Sequence, residues 1–458
     1  MLGICGTGMA SLAGMLKEKG YVVSGSDQNV YPPMSEMLAA LGVEVRTPYR
    51  GENLPQEVDL VVVGNAISRG NVELEEVLDR RLPYASMAEV VKEVFIRGRR
   101  SIVVAGTHGK TTTTSLTAWV LSNAGREPGF LIGGVPDNFG TSYRNSQGEI
   151  FVIEGDEYDT AYFDKGPKFL HYLPEVVALG NVEYDHADIY PDLAHVVTAF
   201  ERLVNLIPRR GLLVVGAESV TAMRCARKSH CPVESFSVAN DADWRAKPLE
   251  SSKSGTRFEV TRKGTLLDVF EGPFWGAAAL RNALVTVAVA HWLGLDGNEI
   301  GEGLRTFSGV RRRMEVRGEC RGIVVVDDFA HHPTAIQETI RGGRLRWPGR
   351  RIWAVFEPRS FTSRSNVFQK ELSEALSEAD RVILAKVYSS SRLSEQRELQ
   401  EEQLIETVSE GGVEAWFIPE VDEIVDFLAS NLTEGDVVLA MSNGGFGGIH
   451  QKLLDALE

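Results

Sequence analysis

Cysteine is scarce in this sequence: Cys5, Cys225, Cys231 and Cys320 are the four among 458 residues. That excludes a small disulfide-framed fold. Cys225, His230 and Cys231 lie close together but lack the paired spacing of a zinc site. Long apolar runs are also missing. None reaches the ~18–20 residues of a membrane span, and the N-terminus has no basic region followed by an apolar one. The cytoplasm is therefore the expected compartment. Positive charge is short as well, with 48 Lys and Arg against 63 Asp and Glu and a net charge of −15. A chain this acidic is a poor general partner for nucleic acid polymers or anionic membranes, so any phosphate it binds must sit in a local, shaped pocket. Repeats and low-complexity segments are absent. Apolar residues at 43% and charged residues at 24% exclude a disordered or fibrous protein.

What the sequence does contain is alternating strand and helix signals over a length that accommodates about three domains. In residues 1–98, Tyr21-Val22-Val23 and Leu60 to Val63 read as buried parallel strands. Glu36 to Leu41 and Val72 to Leu78 read as the helices between them. Gly3 follows only two residues, which makes a first strand short or the chain's start clipped. The basic segment Arg97 to Arg100 reads as a linker. A second block, 99–307, opens on the strand Ser101 to Ala105, and its Phe236 to Phe274 stretch reads as antiparallel edge strands. A third, 308–458, carries apolar strands at Ile323 to Val326, Ile352 to Phe356, Val382 to Leu384 and Val437 to Ala440. The expected fold is three consecutive α/β domains: Rossmann-like, central P-loop, and Rossmann-like again.

Two glycine loops stand out. Gly3-Ile4-Cys5-Gly6-Thr7-Gly8, with Gly25-Ser26-Asp27 later, has the form of a dinucleotide loop, although Ser11 stands at the third glycine position. Gly106-Thr107-His108-Gly109-Lys110-Thr111-Thr112 follows a strand and precedes the helical stretch Ser115 to Leu121. Its glycines let backbone N–H groups approach phosphate. Lys110 neutralises charge there, and the Thr111 hydroxyl is suited to Mg²⁺. The spacing is two residues tighter than the common P-loop. Strands at Phe151 to Ile153 and Val176 to Asn181 end in acidic elements, Glu154-Gly155-Asp156-Glu157 and Glu183-Tyr184-Asp185-His186. Acidic strand ends beside such a loop are what a Mg-nucleotide site needs.

These motifs together resemble the Mur ligase family. The shared elements are the G-T-H-G-K-T-T loop, E-x-D-E at Glu154, Asn181 to Asp188, Gly309 to Glu315 and Asp327 to Thr334, in order across nearly the whole chain. Segments at Leu2 to Thr7, Asn29 to Met34, Gly133 to Pro136, Glu157 to Asp159, Phe163 to Lys165 and Met441 to Lys452 are similar to the branch that recycles murein peptides. The branch that adds L-alanine is the nearest alternative. The resemblance implies ATP and Mg²⁺ as cofactors, UDP-N-acetylmuramate and a murein tripeptide as substrates, and an acyl-phosphate intermediate. It implies no obligate protein partner.

Residue by residue, the resemblance assigns catalysis to Lys110, Glu154 and His186, and metal binding to Thr111, Glu154 and His186. ATP falls to Gly106, Thr107, His108, Gly109, Lys110, Thr111, Thr112, Asn282, Arg313, Asp328 and His331, and the UDP-sugar to Gly6, Thr7, Gly8, Met9, Ser26 and Asp27. Glu201 stands where some members carry a carbamylated lysine, so no carbamate is expected. Ala278-Ala279 replaces the usual His-Asn near Asn282, for which the bland alternative is a helix-start cap. Arg359, Arg364 and the Ser442 to Gly448 loop are the candidates for peptide contacts. Against this stand an oxidoreductase built on the first loop, which leaves the middle motifs unexplained, and a nucleotide-binding regulator without turnover.

Overall fold

The computed structural model describes residues 1–31, 34–187, 189–388 and 398–458. Pro32 and Pro33, within the Asn29 to Met34 segment, and Asp188 of the second acidic element lie outside them. Three sets of mainly parallel strands follow one another, as expected for three α/β domains. In the first set Ser24–Ser26 pairs with Glu44–Arg46, and Val61–Val63 with Tyr84–Ser86. Leu2 alone bridges the two pairs, touching Ser26 on one side and Val63 on the other. The glycine loop therefore leaves the sheet where the strand order reverses, the place where open α/β sheets bind ligands.

The expected strand at Tyr21 to Val23 is not one. Tyr21 and Val22 are exposed, and the strand is Ser24–Ser26. Its central position must be small, because a Cβ on Gly25 would lie within 3 Å of Ile4 and of the Met1 carbonyl. Small residues thus form the strand, and the apolar ones stay in the turn before it. Leu60 is likewise exposed, outside Val61–Val63.

Among the described residues the central sheet has ten strands. Arg100–Ala105 lies between Ile150–Gly155 and Pro174–Leu179, parallel to both, so three C-terminal strand ends open side by side. The far edge is the antiparallel trio Trp244–Ser252, Gly255–Arg262 and Thr265–Gly272. Val, Ile and Leu fill the buried strands on both faces, as parallel sheets covered by helices require. Among the described residues the third sheet has six strands, Glu315–Cys320 antiparallel at its edge and Ile323–Asp328, Val437–Met441, Ile352–Phe356, Arg381–Leu384 and Glu414–Phe417 parallel beyond it. Met15, Val91 and Phe95 share one apolar core with Phe151, Phe169 and Phe200, which fixes the first block on the second. Among the described residues no helix is long and apolar enough to cross a membrane.

Candidate functional site

A cavity of about 1110 Å³ opens between the central and third sheets, at the three adjacent strand ends. The phosphate loop forms its floor. Gly106 leaves the strand at φ 124°, and a Cβ there would lie 2.8 Å from the Asn181 carbonyl oxygen. Gly109 has φ 81°, and its Cβ would meet Asn282 Oδ1 at 2.7 Å. Glycine is required at both positions by handedness and by space. Helix Lys110–Asn123 starts at Gly109 with no side-chain cap, leaving its first amides for an anion. Asn282 lies inside helix Gly276–Trp292 rather than at its start, so it is not the cap that its sequence position allowed. Its side chain abuts the loop instead.

The charged groups around this loop are fixed by one another. Lys110 Nζ lies 2.9 and 2.8 Å from the two oxygens of Glu157 and donates to the Gly106 carbonyl at 2.7 Å. Burial works against the ammonium, but Glu157, Asp156 and Glu154 hold its pKa above the ordinary value. The Glu157 carboxylate is buried too, and Lys110 and His186 hold it below the usual range. Glu154 Oε1 accepts from the Gly133 amide at 2.8 Å, and Oε2 from Thr111 Oγ1 at 3.3 Å. Burial pushes Glu154 up, against the pull of Lys110 and Arg313. His186 sits in the left-handed region at φ 54°, an uncommon conformation for a non-glycine residue that marks a constrained position. Burial lowers its pKa, while Glu157 and Asp185 raise it further, so the net shift is upward. Thr111, Glu154 and His186 all line the cavity. A hydroxyl and a carboxylate 3.3 Å apart, with an imidazole on the same cavity, fit a divalent cation such as Mg²⁺.

The third sheet covers the loop. Arg313 is half-buried over the Phe329 ring, 4.5 Å from its centroid, and its guanidinium donates to Thr111 Oγ1 at 3.3 Å. Asp328 lines the cavity, but its oxygens already accept from the Met314 and Ala330 amides and from Thr339. His331 Nδ1 is tied to the Phe329 carbonyl at 2.9 Å, and burial lowers its pKa. Thr107, His108, Gly109, Lys110, Thr111, Thr112, Asn282, Arg313, Asp328 and His331 share the cavity wall, whereas Gly106 lies behind it. Arg359 stacks on Tyr388 at 3.8 Å and Arg364 is buried. Neither lines the cavity, but Asn443 of the Ser442 to Gly448 loop does. Arg312 pins that loop by donating to the carbonyls of Ser442 and Gly444.

Sequence reasoning passed over the junction that closes the cavity. Glu183 accepts from Thr334 Oγ1 at 2.7 Å and meets His108 Nε2 at 3.3 Å, joining the phosphate loop to the third sheet's first helix. Burial opposes the charge, but His108, Thr334 and His332 hold Glu183 near a pKa of about 2. His332 comes within 3.7 Å of the same carboxylate, and its Nδ1 already caps helix Pro333–Arg346 through the Thr334 amide. Glu183, His108 and Thr334 therefore form a hydrogen-bonded junction with His332 beside it. Arg281 reinforces it, donating to Glu218 at 2.7 Å and to Glu338 at 2.8 Å. At the far end of the cavity Arg346 lies over both Trp275 and Trp347. The position of Glu183, two residues after Asn181, is the one sequence signal that pointed here.

The candidate UDP-sugar residues lie apart, on the first loop. Gly6 precedes helix Thr7–Glu18, again with no side-chain cap. Asp27 Oδ2 accepts from the Cys5 amide at 2.8 Å and Oδ1 from the Asn29 amide at 3.0 Å, which shapes the loop. Ser26 is buried and donates to Glu73, and Met9 is buried in the core. Gly8 packs against Met87.

Three domain families match this chain: the Mur ligase family catalytic domain over residues 1–99, the Mur ligase middle domain over 104–290, and the Mur ligase glutamate ligase domain over 312–444. UDP-N-acetylmuramate–L-alanyl-gamma-D-glutamyl-meso-2,6-diaminoheptandioate ligase of Escherichia coli (strain K12) is 40% identical over 460 residues, spanning 100% of this chain and 97% of that protein. UDP-N-acetylmuramate–L-alanine ligase of Clostridium kluyveri is 34% identical over 444 residues, spanning 97% and 94%. The crystal structure of a murein peptide ligase from Psychrobacter arcticus 273-4 is 37% identical, with a TM-score of 0.73 and coverage of 100% of this chain and 98% of that one.

Proposed function

This chain belongs to the Mur ligase family of ATP-dependent, amide-forming ligases, and we propose that it joins the tripeptide L-Ala-γ-D-Glu-meso-diaminopimelate to UDP-N-acetylmuramate. The observation that carries this reading is full-length identity: it is higher to the tripeptide-adding relative than to the alanine-adding one. Such a reaction belongs to the recycling of wall peptide and needs a compartment that supplies ATP and UDP-sugar, the cytoplasm. No nucleic acid polymer, membrane or obligate protein partner enters it.

In this reading residues 1–98 hold the UDP-sugar, 99–307 hold ATP and 308–458 close over both and receive the peptide. A lactyl carboxylate oxygen attacks the γ-phosphorus, the bond to the β-phosphate oxygen breaks, and ADP leaves with that electron pair. The peptide's α-amine then attacks the acyl carbon. The tetrahedral intermediate collapses, the C–O bond to phosphate breaks, and the amine proton is lost as the amide forms. Lys110 and the first-turn amides stabilise charge on the transferring phosphoryl group, and Arg313 faces it from the opposite wall. Mg²⁺, when bound through Thr111, Glu154 and His186, would neutralise charge between two anions that otherwise repel. Asn282, Asp328 and His331 bound the nucleotide side of the cavity, and the Asn443 loop bounds the side left for the peptide.

The test is acceptor choice. With ATP, Mg²⁺ and UDP-N-acetylmuramate, phosphate release should be rapid with the tripeptide and far slower with free L-alanine. The opposite preference moves the chain to the alanine-adding branch.

A further inference from the structure

His186 is constrained from three directions. Its backbone is left-handed, the Tyr158 ring lies 4.2 Å from its own, and Nε2 lies 3.1 Å from Glu157 Oε1. Glu157 is itself held on both sides: it is 3% exposed, both oxygens face Lys110 Nζ, and its carbonyl accepts from the Tyr190 hydroxyl at 2.7 Å. The other acid nearby, Asp185, stands 3.9 Å from Nε2, beyond a hydrogen bond, and spends an oxygen on the His186 amide. An ionised carboxylate only accepts hydrogen bonds, so Nε2 carries the proton whether the ring is neutral or charged. In the neutral ring the lone pair is then on Nδ1. Among the described residues no protein group meets Nδ1, and the ring lines the cavity beside Thr111 and Glu154.

We propose that Glu157 is the positioning residue of this centre. It fixes the Nε2–H tautomer of His186 and presents Nδ1 to a divalent cation, and through the same oxygens it holds Lys110 in register. Carboxylate–imidazole–metal relays of this kind orient a ligand and raise its basicity. Here the relay has a second arm. One carboxylate serves the imidazole on the metal side and the ammonium on the phosphate side, so metal and phosphate affinities are coupled through Glu157. The inference rests on the reading of His186 as a metal ligand, so the experiment must separate the two.

Full-length protein carrying ¹⁵N-histidine reports the tautomer directly. The resonance lost in His186→Gln identifies the ring, and above its titration it should show Nε2–H. An Nδ1–H form in the wild type overturns the proposal whatever the variants do. Mn²⁺ binding followed by electron paramagnetic resonance is the second readout. His186→Gln should weaken it. Unchanged Mn²⁺ affinity there defeats the metal-ligand reading itself. Glu157→Ala should scramble the tautomer and lower Mn²⁺ affinity about 10–100-fold. Glu157→Gln, which keeps a hydrogen-bond acceptor, should restore the tautomer and part of the affinity. If His186→Gln weakens Mn²⁺ binding while folded Glu157→Ala and Glu157→Gln both bind like wild type, His186 remains a ligand and the Glu157 relay is wrong.

Discussion

The two glycine loops of this molecule solve one problem with different means. One follows a full strand and the other only the Leu2 bridge, but each opens a helix that has no side-chain cap, so each offers backbone N–H groups and a helix N-terminus to phosphate. Beside the Gly3 to Gly8 loop lie Asp27, which accepts from the loop's Cys5 amide, and Met9 and Met87. At the Gly106 to Thr112 loop Lys110 and His186 are both held by Glu157, and Glu154 and Arg313 both meet Thr111 Oγ1. Backbone amides suffice to hold a diphosphate that does not react. A phosphoryl group that is transferred needs fixed charge aimed at where charge develops.

The strongest way to break that contrast is Lys110→Ala. It should lower kcat by about 10³-fold or more, the scale of losing one charge on a transferring phosphoryl group. UDP-sugar affinity should stay unchanged. Glu157 keeps His186 as a partner in this variant, so thermal unfolding must accompany the kinetics to separate catalysis from folding. Equal losses of UDP-sugar binding and turnover would mean that the two loops are not independent.

Closure over the second loop provides the next test. Thr334→Val removes the hydroxyl that Glu183 accepts at 2.7 Å. A hydrogen bond to an ionised group is worth about 1.5–3 kcal/mol, so the closed junction should loosen and KM for ATP rise more than kcat falls. Two buried histidines, His332 at the junction and His450 beside Asp327 in the third block, carry a pH signature. Burial, with His108 nearby, lowers His332 from 6.5 to about 4, and burial with Arg317 and Arg312 lowers His450 to about 4. Between those values the unfolded chain binds protons that the folded chain refuses. Stability is therefore intact above pH 6.5 and falls as pH drops toward 4, by up to about 1.4 kcal/mol per unit for each histidine. Urea unfolding across that range checks the slope, and His332→Asn, which keeps the helix cap, should remove about half of it and leave the share of His450.

Much of this was legible in the sequence because it is local. Strand, glycines, Lys-Thr and helix occur within a short window, and the two acidic elements lie at strand ends that periodicity identifies. The Glu183 junction and the Trp275–Arg346 wall were not legible, because their partners come from distant segments brought together by packing of the central and third sheets. Tyr21 to Val23 was misread for a related reason. The β-like composition is there, but the pairing positions beside Leu2 demand Gly25, a constraint set by the packed segment Met1 to Ile4. Asn282 admitted a cap reading because nothing local reveals that its helix begins at Gly276.

The smallest effects come from the glycines themselves, and they sharpen the contrast most. At Gly109 an alanine must adopt φ 81° and place its Cβ 2.7 Å from Asn282 Oδ1. That costs on the order of 1–3 kcal/mol and moves the loop, so Gly109→Ala should lower both Tm and ATP affinity. Gly6 has φ −63°, which any residue adopts, and the nearest atom to its Cβ is the Gly3 carbonyl oxygen at 3.6 Å. Gly6→Ala should therefore leave stability within about 0.5 kcal/mol of wild type. The added methyl would nevertheless stand where a diphosphate approaches the helix N-terminus, and UDP-sugar affinity should fall about tenfold, roughly 1.4 kcal/mol. Calorimetric titration of UDP-N-acetylmuramate beside a melting curve decides it. A destabilised Gly6→Ala would mean that the first loop is built for its own packing, and unchanged UDP-sugar affinity would mean that the diphosphate lies elsewhere.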